Sequence, residues 1–130
     1  MKKMIIVLSL FTVLIGFCVA ESIVHNKIYT RMHENLKKID AQIEADKDNL
    51  SDSLAMPLMQ DTAAYWKKRK NLLMSFSNHA LLRTADEHLT RLEGYIAVGE
   101  YKEASVHSKV AVVFFHDLLD DLSPRPTNIF

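Results

Sequence analysis

Cysteine is almost missing from this chain: among 130 residues, Cys18 stands alone. A single thiol allows no intrachain disulfide and none of the paired spacings that hold zinc, so a disulfide scaffold and a cysteine-based metal site are both excluded. Glycine and proline are scarce, at three each. That leaves no glycine-rich loop to cradle phosphate, no Gly-x-Ser-x-Gly elbow to present a nucleophile and no low-complexity linker. Net charge is absent as well, with 16 Lys plus Arg against 16 Asp plus Glu. Setting aside Lys2 and Lys3, residues 21–130 hold 14 basic side chains against 16 acidic ones. So balanced a surface argues against nucleic acid as a main partner, because phosphate backbones are held by clustered positive charge.

What the chain does have is one long apolar run. Residues 4–20 (MIIVLSLFTVLIGFCVA) carry no charged side chain, and Lys2 and Lys3 stand directly before them. As a helix they reach about 25 Å, and extension to Val24 gives the thickness of a bilayer's hydrocarbon core. Lipid offers a backbone no hydrogen-bond partner, so a segment residing there must be helical. A cleavable signal peptide is the competing reading, since Cys18 and Ala20 make a small-x-small pattern before Glu21. Two features favour an uncleaved signal anchor over residues 1–24. The run is longer than the usual signal core of about 7–15 residues. Helical periodicity also continues through Ile28, Met32, Leu36, Ile39 and Ile43 with no Gly or Pro to break it. Lipid attachment at Cys18 is disfavoured by the bulky Phe17 before it, and Cys18 reads as a small buried hydrophobe. Lys2 and Lys3 hold the start on the cytoplasmic side, which predicts an extracytoplasmic domain over residues 25–130.

That domain reads as all-α. A first soluble helix continues from the anchor to about residue 46, and the polar stretch 46–53 (DKDNLSDS) reads as a loop. A second helix, with Pro57 in its first turn, runs from about residue 55 to 77 and lines Met59, Ala63, Trp66, Leu73 and Phe76 along one side. Asn78 suits a helix cap. A third helix carries Leu82, Ala85, Leu89, Leu92 and Ile96; Gly99 suits a left-handed helix end. A fourth repeats the rhythm with Tyr101, Ala104, Ser108, Ala111, Phe115, Leu118 and Leu122, until Pro124 and Pro126 stop it. Two such stripes joined by a short turn bury each other as an antiparallel αα-hairpin. The fold class expected is therefore an N-terminal transmembrane helix followed by a small antiparallel bundle of three to four helices. The membrane-proximal stripe offers a dimer seam, and the tail 127–130 (TNIF) is expected to dock back on the bundle.

The chemistry-bearing residues are few. Counting from the turn at Gly99, His79 comes level with His116 and His88 with His107. Nine residues at about 100° each turn the two histidines of one helix to opposite sides, so only one pair can face inward. The pair His79 and His116 is preferred because Asp117, Asp120 and Asp121 lie nearby. No metal site is assigned; His79, His116 and Asp120 are the residues that come nearest to one. The strongest charge run is Lys67, Lys68, Arg69 and Lys70, which suits anionic headgroups or wall polymers, or else a solvated helix face with one stem along the core edge. Trp66 beside it reads as the main packing residue of a small bundle, with an interfacial role as the other option. These five residues are the candidate interaction surface. No nucleophile, base and orienter can be assembled from spacing, so no catalytic residue and no cofactor is expected.

Set together, the layout resembles a known family. A basic start and one apolar span lead to a Trp-bearing helix (AAYWKKRKNLLMSFSNHALL), then RLEGYI, a turn, EYKEA and a closing NIF. This resembles the bacterial small membrane proteins grouped as family 4363 of domains of unknown function, departing from it at SLAMPLMQ around Pro57. The segment YIAVGEYKEA also looks like a tetratricopeptide-type hairpin, a likeness of packing only. The family resemblance implies no activity to carry over. The expectation is a single-pass membrane protein whose exported bundle has a binding or structural role at the cell envelope, with another membrane protein or a second copy as partner, and not an enzyme. The alternative is a secreted helical protein that binds a small ligand or metal at its His79–His116 end.

Overall fold

Helix α1 covers Lys2–Ala45, a single rod of 44 residues that carries both the apolar run and the first stripe of the bundle. At helical rise it is about 66 Å long. The structure, a computed structural model, describes residues 1–122. It is helical from end to end, with no strand among the described residues. After α1 come a single 3-10 turn at Leu50–Asp52, then α2 (Ala55–Met74), α3 (His79–Ala97) and α4 (Tyr101–Leu122). Helix α1 packs on α2 and α4, and α3 packs on the same two from the opposite side. Short connections make consecutive helices antiparallel, so the upper half of α1 is one quarter of an up-down-up-down four-helix bundle.

Local chemistry explains the joints. Pro57 is the third residue of α2, where its missing N–H would have had no partner within the helix. Ser53 secures the entry to α2, accepting from the Ala55 N–H at 3.1 Å while its hydroxyl donates to the Leu50 carbonyl at 2.7 Å. Asn78 caps α3 by accepting from the Ala80 N–H at 2.9 Å. Gly99 takes φ +75°. There Glu100 N–H reaches the Tyr95 carbonyl and Gly99 N–H the Ile96 carbonyl, at 3.0 and 3.1 Å, which is the paired bonding of a Schellman end. The αα-hairpin of α3 and α4 turns on this glycine.

The core is one continuous cluster around Phe115, whose ring meets Trp66 of α2 at 5.4 Å and Tyr29 of α1 at 6.2 Å. The expected stripes of α3 and α4 are the buried ones, with Tyr101 and Leu122 half-buried at the two ends of α4. On α2 the stripe differs in two places. Thr62 is buried and Ala63 only half so; the Thr62 hydroxyl donates to the Leu58 carbonyl at 2.8 Å, which lets a polar residue take a core position. Phe76 lies past the end of α2 and is 48 % exposed, because the helix stops at Met74 rather than near residue 77. Leu50, inside the expected polar loop, is 2 % exposed and plugs the distal end of the bundle. The membrane-proximal stripe Ile28, Met32, Leu36, Ile39 and Ile43 is covered by the chain's own helices. It therefore leaves no dimer seam. The TNIF tail, Pro124 and Pro126 lie outside the described residues.

Residues 1–24 pack on little. None of the most apolar 18-residue window of α1 is buried, and one described helix is long and apolar enough to cross a membrane. Thr12 in this segment gives its hydroxyl to the Leu8 carbonyl at 2.9 Å, so it needs no water. Cys18, expected to be buried, is exposed.

Candidate functional site

The base of the bundle, where the apolar half of α1 enters it, gathers the groups that could act. The α2–α3 turn reaches down to the last turns of the apolar run: the Phe76 ring lies edge-on to Phe17 at 5.2 Å, and Leu72 and Phe76 share an apolar niche with Ala20 and Val24. Adjoining that niche at Glu21, His25 and Phe76, a crevice of about 400 Å³ is lined by residues including Cys18, Tyr29, Ser77, Leu118 and Asp121. The bundle thus does not stand clear of the apolar run but begins level with its end.

One polar chain closes this region. His25 Nδ1 lies 2.8 Å from the Glu21 carbonyl and Nε2 lies 2.6 Å from Ser77 Oγ. A carbonyl only accepts, so Nδ1 carries the proton and Nε2 accepts from the serine hydroxyl. Burial pushes the Tyr29 phenol up from its ordinary pKa, and the nearby Ser77 side chain offsets part of that rise. The His25–Ser77 bond ties the α2–α3 turn to α1. Spacing showed none of this, since 52 residues separate His25 from Ser77. The residues a sequence reader could have weighed are a lone His on an apolar stripe and a Ser beside a cap.

The basic run divides by its rotation about α2. Lys70 is turned inward, its side chain 27 % exposed, and its ammonium bonds Asp86 Oδ2 of α3 at 2.7 Å. Trp66 is buried, and its Nε1–H donates to Asp86 Oδ1 at 2.7 Å. Neither presents itself to a partner, so the candidate surface loses Trp66 and Lys70 to packing. Lys67, Lys68 and Arg69 remain exposed, with no carboxylate within ion-pair distance among the described residues. Arg69 and Arg31 of α1 both set their guanidinium groups over the Tyr65 ring, at 5.7 and 5.3 Å, which gathers positive charge where α1 and α2 meet.

The histidines fall differently from the expected pairing. His116 faces His33 of α1 at 5.7 Å and lies 3.7 and 3.9 Å from carboxylates of Asp117 and Asp120. His79 is exposed at the start of α3. On the other level, burial lowers the pKa of His88, followed by the charges of Arg91 and His107. Their rings are occupied, His88 against Phe114 and His107 stacked on Tyr95. Among the described residues no group of three or more His, Cys, Asp or Glu is arranged to hold a metal ion.

At the other end of the bundle lies a seam of polar contacts between α1 and α4 that periodicity did not reveal. Tyr101 and Ser105 donate to Glu44 at 2.8 and 2.6 Å, Lys109 bridges Glu44 and Asp40 at 2.9 and 3.1 Å, and Ser108 donates to Asp40. The Ser105 bond, then those of Lys109 and Tyr101, hold the Glu44 carboxyl well below the usual carboxylate range.

These features define an all-α protein: a four-helix bundle whose first helix runs on, unbroken, into an apolar segment of membrane-spanning length. Against known proteins, no family model, no curated protein and no solved structure matches the chain.

Proposed function

We propose that the chain is a single-pass membrane protein, anchored by residues 1–24 with its N-terminus in the cytoplasm, whose extracytoplasmic bundle acts by binding at the cell envelope. The observation that carries this reading is the unbroken α1: an exposed apolar half and a packed half on one rod, so that the bundle is held at a fixed height and orientation above the bilayer. A cleavable leader is normally discarded; here cleavage before Glu21 would leave His25 and its Glu21 carbonyl within one turn of a new chain end. The likeness to family 4363 accords with an envelope protein and adds no activity.

The bundle's outward face on α4 suits a protein partner or a second copy. Val106, Val110 and Val113 lie one and two turns apart and are all exposed. The serine–histidine pair is read as a clamp and not as a nucleophile and base, because a backbone carbonyl, and among the described residues no carboxylate, orients His25. Covalent labelling of Ser77 by a fluorophosphonate would overturn that.

Three measurements test the reading. The mature protein should begin at Met1 and stay in the membrane pellet through an alkaline wash; a start at Glu21 and release into the wash favour secretion. A photo-crosslinker in place of Val110 should capture one discrete partner or a dimer, and one in place of exposed Gln60 on α2, diagonally across the bundle, should not.

A further inference from the structure

A basic band around α2, an apolar tip and an unburied span follow one another down the α2 side of this molecule. Helix α2 descends alongside α1 toward the apolar run, and its surface changes character on the way. Lys67, Lys68 and Arg69 come first, exposed and without carboxylate partners among the described residues. Leu72, Met74 and Phe76 follow, exposed although large and apolar. Phe76 then rests on Phe17, inside the run that is read as membrane-spanning. The order, cationic and then apolar toward the span, is that of an element lying in a membrane interface.

We propose that the α2–α3 turn is a second membrane contact: Leu72, Met74 and Phe76 enter the leaflet on the bundle's side, and Lys67, Lys68 and Arg69 lie among its anionic headgroups. This rests on residues 1–24 being a membrane span. The dimensions agree. From Arg69 to Phe76 is seven residues, about 10 Å at helical rise. A headgroup layer is about 5–8 Å thick, and interfacial elements bury their apolar side about 5–10 Å deep. With Phe76 level with Phe17, it sits about one helical turn below Glu21, the first charge after the apolar run of residues 4–20, while Arg69 stands above Glu21. A soluble tip would gain nothing from three large apolar side chains in water, whereas lipid removes that cost and the cations above it meet phosphate. The His25–Ser77 hydrogen bond gives the tip its fixed depth by binding the turn to α1. The opposite edge differs. Asp117 and Asp121 near the end of α4 are repelled by an anionic surface, so the bundle leans toward its α2 side.

The experiment uses the full chain with Cys18→Ser, reconstituted in nanodiscs of phosphatidylcholine with one quarter phosphatidylglycerol. Single variants Phe76→Cys, Met74→Cys, Val98→Cys and Leu10→Cys carry an environment-sensitive nitrobenzoxadiazole label. A lipid-borne spin label should reduce emission at positions 76 and 74 about twofold, as at position 10, while iodide should quench position 98 about fivefold more than position 76. Strong iodide quenching at 74 and 76, with position 10 still quenched by lipid, overturns the proposal and leaves the span intact. If neither quencher reaches 74 and 76, a protein partner or second copy covers the tip, and the proposal fails. Absence of lipid quenching at position 10 overturns the span and this inference together. Replacing Lys67, Lys68 and Arg69 by Glu should cut lipid quenching at position 76 about twofold in the anionic discs and leave it unchanged in pure phosphatidylcholine; equal loss in both would remove the headgroup part of the proposal.

Discussion

The two halves of α1 have the same backbone and opposite relations to solvent. From residue 1 to 24 its apolar side chains cover the whole circumference and none is buried. From His25 on, one stripe is buried and the flanks carry Lys, Asp and Glu, several of which bond side chains of α4. A helix apolar all round has no inside and no outside, so it can satisfy itself only in an apolar solvent. A helix with one stripe must find other helices. The lesson is that a hydrophobic residue's contribution depends on which half it occupies, and paired substitutions should expose this. Leu36→Ala should cost about 2–5 kcal/mol of bundle stability, because Leu36 is fully buried on the side of α1 that packs on α2 and α4. Leu10→Ala should leave urea denaturation of the bundle unchanged in the same detergent. Equal losses at both positions would mean that the apolar half also packs within the protein.

A second substitution probes how the bundle half uses polar atoms. Trp66→Phe keeps a ring in the core and removes the donor to Asp86, which retains Lys70. A hydrogen bond to a charged group contributes about 1.5–3 kcal/mol; with Lys70 still in place, a loss of about 1.5–2 kcal/mol is expected, read by the shift of the urea midpoint. Membrane retention should not change.

The same contrast decides what could be read from the chain alone. Periodicity reports which face of a helix is apolar, and so the stripes of α3 and α4, the Gly99 turn and the Asn78 cap were all visible. It does not report which stripes meet. Glu44 bonds Tyr101 and Ser105 across 57 and 61 residues, and no local pattern marks either end. Lys70 differs from Lys67, Lys68 and Arg69 only by rotation about α2, which a run of four letters conceals. Leu50 sat in a stretch read as polar, where one apolar residue carries no period at all. Phe76 was placed in the core because it continues the α2 spacing, yet the helix ends two residues earlier, and a stripe has no meaning past its helix.

His107 offers a smaller and opposite effect. Its Nδ1 is buried without a hydrogen-bond partner, while its ring stacks on Tyr95 with the planes 18° apart. His107→Phe preserves the stack and removes the unsatisfied nitrogen. It should stabilise the bundle by about 1 kcal/mol or less in the same denaturation assay. A loss of that size would point to a partner for the nitrogen and make His107 a polar contact rather than a packing one.

The smallest effects are electrostatic and belong to the exposed seam at the far end of α1. Glu44 has its folded pKa lowered below the ordinary 4.5. The unfolded chain therefore binds this proton first, so the seam's contribution is complete above pH 4.5 and is lost as pH falls below it. Lys47 and Lys109 are raised above the ordinary 10.5, Lys47 chiefly by Tyr101 and Lys109 chiefly by Glu44, so their part is complete below 10.5 and is lost as pH rises past it. His33 and His88 are lowered below 6.5, first by burial, and their part is complete above 6.5 and is lost as pH falls through the histidine range. Tyr29 is raised above the ordinary 10.0, first by burial, so bundle stability should be flat from about pH 6.5 to 10 and decline on the acid side in two steps. Glu44→Gln should remove the lower step and spare the upper one. Salt at about 1 M should shrink the Glu44 step, because exposed charges are screened over about 3 Å at that strength. Residues 4–20 carry no charged side chain, so membrane retention should show neither step; an acid-dependent release would mean that the bundle's charges, and not the apolar run, hold the protein to the bilayer.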